Sequence, residues 1–372
     1  MGAFLPLPPI MGGAVEKAWF ALAQEFARRG HAVVQISRAR PQFPNRETLA
    51  GVEHLRVRGF DTPASLGWLK TLDLFYSLRT RRALPLSDIV VTNTFWLPLL
   101  LRTAKRGRVY VHVARFPKGQ MRFYAHAARL QAPSSAVADA IIAEAPAIRS
   151  KTKVIPYPRP EASARDMPSL AARPRTILYV GRLHSEKGVH LLIRSFAALP
   201  ASLREWWRLV IVGSAEVRLG GGGENYLTQL KRDAVNAAER VEFRGAIFDE
   251  VELERVYREA RLFVYPSLAE RGETFGLAPL EAMAQGCAVL VSDLACFRDF
   301  VRNEETGFIF DHRGPAAGAA LSTRITQILT EETTLARVAN AGAEVSEEYA
   351  LPRVADQFLE DFAALQSGPT WN

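Results

Sequence analysis

Short runs of β-branched and aromatic residues alternate with helix-length amphipathic segments along the chain. The strand-like runs in the first half are AVVQI (32–36), DIVVT (88–92), RVYVHV (108–113) and KVIPY (153–157). In the second half they are TILYV (176–180), RLVIVG (208–213), VEFRG (241–245), RLFVYP (261–266), AVLVS (288–292) and GFIF (307–310). Residues 14–29 have apolar positions at 15, 19, 22, 23 and 26, with Arg28 and Arg29 in the last turn and Gly30 as a stop signal. Strands alternating with helices predict parallel sheets with right-handed crossovers, hence an α/β protein of two doubly wound domains. Five prolines and weak periodicity place the linker within 156–175. Ligands of such a fold are expected at the carboxyl ends of the strands, in the cleft between the domains. The first strand is irregular: it would span only Ala3–Leu5, about half the usual length.

The length, 372 residues, suits two domains of about 150 residues each. With 48% apolar and 23% charged residues, the chain is neither disordered nor fibrous. No run of about 18 apolar residues predicts a bilayer-spanning helix. The opening MGAFLPLPPI is apolar but lacks a basic flank and is broken by three prolines, which argues against a signal peptide. Cys287 and Cys296 are too few for a disulfide framework and point to a reducing compartment, each reading as a small strand residue.

Charge is unevenly spread along the chain. Residues 1–160 carry a net +15 and residues 161–372 a net −7. The basic half calls for an anionic partner: a membrane face, a substrate or nucleic acid. Residues 65–82 read as a helix with Trp68, Leu69, Leu72, Phe75 and Tyr76 on one stripe beside Lys70, Arg79, Arg81 and Arg82. Such a helix suits either the surface of an anionic bilayer or the first sheet as packing. No nucleic-acid module is recognisable, so no nucleic-acid partner is expected.

Three segments carry candidate chemistry. In GETFGLAPLEAMAQGCAVLVS (272–292), seven residues separate Glu273 from Glu281. A turn at 274–276 followed by a helix bearing Pro279 in its first turn aims the amides of Phe275, Gly276 and Leu277 at an anion. Glu273 can accept from sugar hydroxyls, and Glu281 from ribose hydroxyls. In YVGRLHSEKGVHLLI (179–193), Arg182 and Lys187 flank a strand-to-helix turn, an arrangement suited to a diphosphate. That segment holds neither a P-loop nor a GxGxxG fingerprint. In PPIMGGAVEK (8–17), Gly12 and Gly13 let the backbone approach a ligand closely. The run GGGGE (220–224) reads as a mobile loop.

Together and in this order, the glycine loop, GRLHSEKG, VEFRGAIFDEVELERVYREARLFVYPS and the E-x7-E block through TGFIFD resemble glycosyltransferase family 4, the glycosyl transferases group 1. The resemblance covers nearly the whole chain. It implies a GT-B fold, two Rossmann-like domains facing across a cleft. Residues 1–158 would bind the acceptor and residues 159–350 a nucleotide-sugar donor. Residues 351–372 would form a helix, about 351–366, crossing back to the N-terminal domain.

The resemblance also implies roles. Arg182 and Lys187 would neutralise the departing diphosphate. Glu281 would bind ribose, Glu273 the sugar, and the amides of Phe275, Gly276 and Leu277 phosphate or sugar oxygens. Gly12 and Gly13 would reach the donor phosphate, Gly245 and Ile247 would border the base, and His112 would face the transferred sugar. The implied reaction is metal-independent, cofactor-free transfer with retention of configuration, to a glycan or lipid-linked acceptor, in the cytoplasm or at the inner membrane face. Phosphorolysis, epimerisation and a non-catalytic scaffold are the alternatives. The family's pattern is broken at Arg261, where an acid is usual, at Ala295–Asp299 and at Tyr157–Pro158.

Overall fold

A computed structural model describes residues 1–10, 13–63, 66–102, 104–160 and 168–367. The chain forms two compact units: Met1–Pro158 with Tyr349–Asn372, and Arg159–Glu348. Among the described residues no helix is long and apolar enough to cross a membrane.

The first unit holds two sheets. β1 (Val34–Arg38), β2 (Arg46–Leu49) and β3 (Val52–Val57) lie in the order β1-β3-β2, with β1 and β3 parallel and β2 and β3 antiparallel. β4 (Ile89–Thr92), β5 (Arg108–His112), β6 (Arg129–Ala132) and β7 (Thr152–Val154) form a parallel sheet in sequence order. The strand expected at Ala3–Leu5 is not formed. Pro6, Pro8 and Pro9 have no N–H to give a ladder. Residues 1–7 are instead tied by single bonds: the Met1 ammonium to the Ile36 carbonyl, the Phe60 N–H to Ala3, and Arg38 and Arg56 to the carbonyls of Phe4 and Leu7. The antiparallel β2–β3 pair also departs from the all-parallel expectation.

The helix Ala14–Arg28 packs Trp19, Leu22 and Phe26 against Val354, Ala355 and Phe358 of the helix Leu351–Ser367. Asp361 of that last helix is fully buried and accepts from Tyr110 Oη at 3.0 Å and from Arg129 Nη2 at 2.6 Å. A single buried carboxylate thus fastens the chain's last helix to β5 and β6 of the first unit.

The second unit is one six-stranded parallel sheet built from β8 (Thr176–Val180), β9 (Arg208–Val212), β10 (Val241–Gly245), β11 (Leu262–Tyr265), β12 (Ala288–Ser292) and β13 (Phe308–Phe310). Its order is β10-β9-β8-β11-β12-β13. Every residue of β11 and β12 is buried, which explains why these strands read as continuous apolar runs. Chain order runs outward in both directions from β8 and β11. That junction is the switch point at which open α/β sheets leave a crevice beyond the strand ends.

Candidate active site

Two loops leave the sheet at the switch point, and backbone contacts stitch them together. The loop after β8 carries Arg182 and Lys187, and the loop after β11 leads to Glu273. Leu268 N–H donates to the Glu186 carbonyl at 2.7 Å. Gly188 has φ +66°, and a Cβ on it would lie 2.0 Å from the Pro266 carbonyl oxygen. Glycine is therefore needed there on two grounds, backbone sign and close approach.

The approach brings Lys187 against Glu273. Lys187 is 5% exposed and Glu273 8%. Lys187 Nζ donates to Glu273 Oε1. The same oxygen accepts from Tyr265 Oη at 3.0 Å and from Ser267 Oγ at 3.1 Å. A buried charge pair with this many added hydrogen bonds meets the condition for retaining both ions away from water. Arg182 lies further out. Its guanidinium donates to the Gly220 carbonyl and to Glu186 Oε1, the latter at 3.0 Å.

The turn after Glu273 ends at Gly276, whose φ is +103° and whose added Cβ would fall 2.5 Å from the Phe297 ring. Gly276 caps the helix Leu277–Ala284, so its first amides stand where intrahelical acceptors are lacking. Phe275 is buried against Phe300, with ring centroids 5.6 Å apart, so its side chain is core and only its backbone suits a ligand. One turn into the helix, Glu281 Oε2 accepts from Tyr257 Oη at 2.9 Å.

Gly245 closes β10 at φ +69°, with open space where a Cβ would be, and Ile247 is half-buried two residues on. The glycine run at 220–223 is a hydrogen-bonded turn rather than a mobile loop. Gly222 and Gly223 N–H donate to the carbonyls of Leu183 and Ala215 at 2.8 and 2.7 Å. A Cβ on Gly221 would lie 2.2 Å from the Ala215 carbonyl carbon.

In the first unit, Gly12 lies outside the described residues. Gly13 precedes the helix Ala14–Arg28 at φ +99°, and a Cβ there would strike Glu16 and Leu5. His112 ends β5 and is 2% exposed. Its ring nitrogens meet Gln131 Oε1 and Tyr157 Oη, the latter at 2.9 Å. Gln131 Nε2 donates to the Ile155 carbonyl, so Gln131 Oε1 faces the imidazole as an acceptor. Nδ1 therefore carries the proton, and Nε2 accepts from Tyr157. Burial pushes the imidazole down to about 4, so it is neutral. Both nitrogens hold partners within this unit, so His112 belongs to a buried hydrogen-bonded network at the end of β5.

Two further placements differ from the sequence reading. In the helix Leu66–Ala83, Trp68 is 62% and Phe75 51% exposed, while Asp73, Tyr76, Ser77 and Thr80 face inward. The aromatic stripe is thus split, and polar residues take the inner face. Cys296 lies in a short 3-10 turn, Ala295–Asp299, not in a strand. Arg261 is buried and donates to the carbonyls of Arg173 and Ala171 at 2.8 and 2.7 Å, which fixes the segment entering β8.

Sequence alone does not single out Tyr179, Tyr257, Tyr265 or Ser267. Apolar runs around them read simply as core strands and helix. Among the described residues no cluster of three or more His, Cys, Asp or Glu is suited to a metal.

Residues 163–345 match the family model described as glycosyl transferases group 1. The chain is 30% identical over 202 residues to a phosphatidyl-myo-inositol mannosyltransferase of Mycobacterium leprae, covering 53% of this chain and 49% of that protein. It spans about half the length of the curated relatives it matches. Among solved structures it resembles a sucrose-phosphate synthase from Thermosynechococcus elongatus, with TM-score 0.76, 23% identity, and 95% and 94% of the two chains covered. It also resembles Anabaena HepE in complex with UDP and glucose, with TM-score 0.69, 18% identity, and 95% and 96% covered. These likenesses fix the fold as GT-B.

Proposed function

Because residues 163–345 belong to the glycosyl transferases group 1 family, we propose that the chain transfers a sugar from a nucleotide-diphosphate donor, with retention of anomeric configuration and without a bound metal. The observation that carries this reading is the buried Lys187–Glu273 pair at the sheet's switch point, with Glu281 one turn into the adjoining helix. HepE, of similar fold, is described as a complex with UDP and glucose.

The donor's diphosphate lies against Lys187 and Arg182, its ribose hydroxyls bond Glu281, and its sugar hydroxyls bond Glu273. The amides of Gly276 and Leu277 add helix N-terminal donors for an anion. An acceptor hydroxyl oxygen bonds to the anomeric carbon as the bond from that carbon to the phosphate oxygen breaks. The bonding pair leaves with the diphosphate, whose oxygen takes the acceptor's proton on the same face. Positive charge at Lys187 and Arg182 stabilises the growing negative charge, the role of a metal elsewhere. Glu273 is committed through Oε1 to three protein donors, so it serves better as a sugar ligand than as a nucleophile, and a front-face route follows.

The acceptor in this proposal is a glycan or lipid-linked precursor of cell-surface polysaccharide or glycolipid, met at the inner membrane face. The net +15 of residues 1–160 and the outward Trp68 and Phe75 support it, as does the phosphatidyl-myo-inositol for which the M. leprae relative is named. Release of nucleoside diphosphate from a panel of UDP-, GDP-, ADP- and dTDP-sugars tests the reaction. Lys187→Ala is expected to cut kcat by about 10²-fold or more, as loss of an oxyanion donor does. Unchanged turnover in that variant would overturn the assignment.

A further inference from the structure

Glu273 and Glu281 stand eight positions apart, and so do two buried tyrosines, Tyr257 and Tyr265, that hold them. Tyr257 Oη donates to Glu281 Oε2 at 2.9 Å, and Tyr265 Oη donates to Glu273 Oε1 at 3.0 Å. Burial pushes both phenols well above their ordinary range, so each keeps its proton and acts as a donor.

Neither ring is free to follow its carboxylate. Tyr265 is stacked between Tyr179 and Phe263, with centroids 5.8 and 6.1 Å away. Tyr257 packs on Phe263 at 5.8 Å, and its carbonyl accepts from the Cys287 thiol at 3.0 Å. The tyrosines therefore set where the carboxylates sit, not the reverse. A carboxylate oriented by a rigid donor is pre-organised for a ligand at little further entropy cost.

We propose that Tyr257 and Tyr265 are positioning residues that divide donor recognition between them. Tyr257 fixes Glu281 for the ribose hydroxyls, and Tyr265 fixes Glu273 for the hydroxyls of the transferred sugar. This rests on the nucleotide-sugar reading of the site. It predicts a separation that a general packing role does not give, because the two tyrosines serve different parts of one ligand.

The test uses the full chain and isothermal titration with UDP, GDP, ADP and dTDP and with the corresponding UDP-glucose, GDP-mannose, ADP-glucose and dTDP-glucose. Tyr257→Phe is expected to weaken the bound nucleoside diphosphate and its sugar ester alike, each about tenfold, the scale of one hydrogen bond to a charged group. Tyr265→Phe is expected to leave the diphosphate within about twofold and to weaken only the sugar ester, by about tenfold. Should either variant fail to fold, Cys287→Ala loosens Tyr257 and Ser267→Ala removes a second donor from Glu273 Oε1. Each is expected to repeat its tyrosine's pattern at smaller amplitude. Equal losses for both ligands in both variants, or wild-type affinities in both, would overturn the division of roles. A wild-type chain that binds none of the eight ligands would overturn the nucleotide-sugar reading itself.

Discussion

The rings of Tyr179 and Tyr265 stack with centroids 5.8 Å apart and planes 9° from parallel, and their hydroxyls serve the two loops of the switch point. Tyr179 Oη donates to the Arg182 carbonyl at 2.9 Å, and Tyr265 Oη to Glu273 Oε1 at 3.0 Å. One stacked pair, on the adjacent strands β8 and β11, thereby sets the loop of a candidate diphosphate cation and the carboxylate of a candidate sugar ligand.

The charge pair between those loops has a stability consequence. Removing one partner of a buried pair leaves an uncompensated charge and costs about 3–5 kcal/mol. Lys187→Met and Glu273→Gln should each lower stability on this scale in urea unfolding. The double variant Lys187→Met with Glu273→Gln should cost clearly less than the two single losses together, since no buried charge remains. Additive losses would show that the pair is not coupled.

Gly188→Ala should be among the more damaging single-methyl changes in the second unit. A left-handed residue with a Cβ costs about 1–2 kcal/mol, and contact with the Pro266 carbonyl adds to that. Urea unfolding should show a loss above about 2 kcal/mol, and nucleotide binding should fall as Lys187 shifts with the loop. A neutral Gly188→Ala would contradict the close approach of the two loops.

The neutral His112 makes stability depend on pH. Its native value, about 4, lies below its unfolded value of about 6.5. Between these the unfolded chain binds the extra proton, so stability rises with pH through about 4 to 6.5 and is level above. The full effect is ~3 kcal/mol. Asp73 works in the opposite sense. Burial raises its carboxyl to about 6, so its contribution is complete below about 4 and is lost as pH rises toward 6. The difference between wild type and His112→Gln in urea unfolding at pH 4.5, 5.5 and 7 isolates the histidine. The gap should widen with pH, and a constant gap would contradict the buried neutral ring.

Trp68 and Phe75 point outward, so alanine there should change folding stability by less than about 0.5 kcal/mol. Binding to vesicles containing anionic phosphatidylglycerol should nevertheless fall several-fold in Trp68→Ala/Phe75→Ala, measured by co-sedimentation at fixed salt. Equal binding by wild type and variant would place membrane contact elsewhere or exclude it.

Much of the second unit was legible because its inner strands, unlike the half-exposed edge strand β10, are buried on both faces. TILYV, VEFRG and AVLVS match β8, β10 and β12 to the residue. The first unit was less legible. β6 reads RLQA, and its polar Gln131 is buried because it bonds the His112 imidazole, a tertiary cause that no period reveals. β2, RETL, and β3, VEHLRV, carry charges because β2 is a mostly exposed edge and Arg56 is satisfied by the carbonyls of Pro44 and Leu7. At the site, the residue types and spacings of Lys187, Glu273 and Glu281 were visible in sequence. Their union, and the tyrosines that make it, depend on β8 and β11 lying side by side although 81 residues separate the end of one from the start of the other.

Glu281 and its neighbours are expected to hold the nucleotide of the sugar donor. The most direct measurement is a thermal-shift panel of UDP-, GDP-, ADP- and dTDP-sugars on the wild type and Glu281→Ala. A ligand at 100 times its Kd stabilises a fold by about 2.7 kcal/mol, a readily visible rise in Tm. One nucleotide series should raise the wild-type Tm and leave the variant unmoved. No shift with any series, or equal shifts in both proteins, would contradict it.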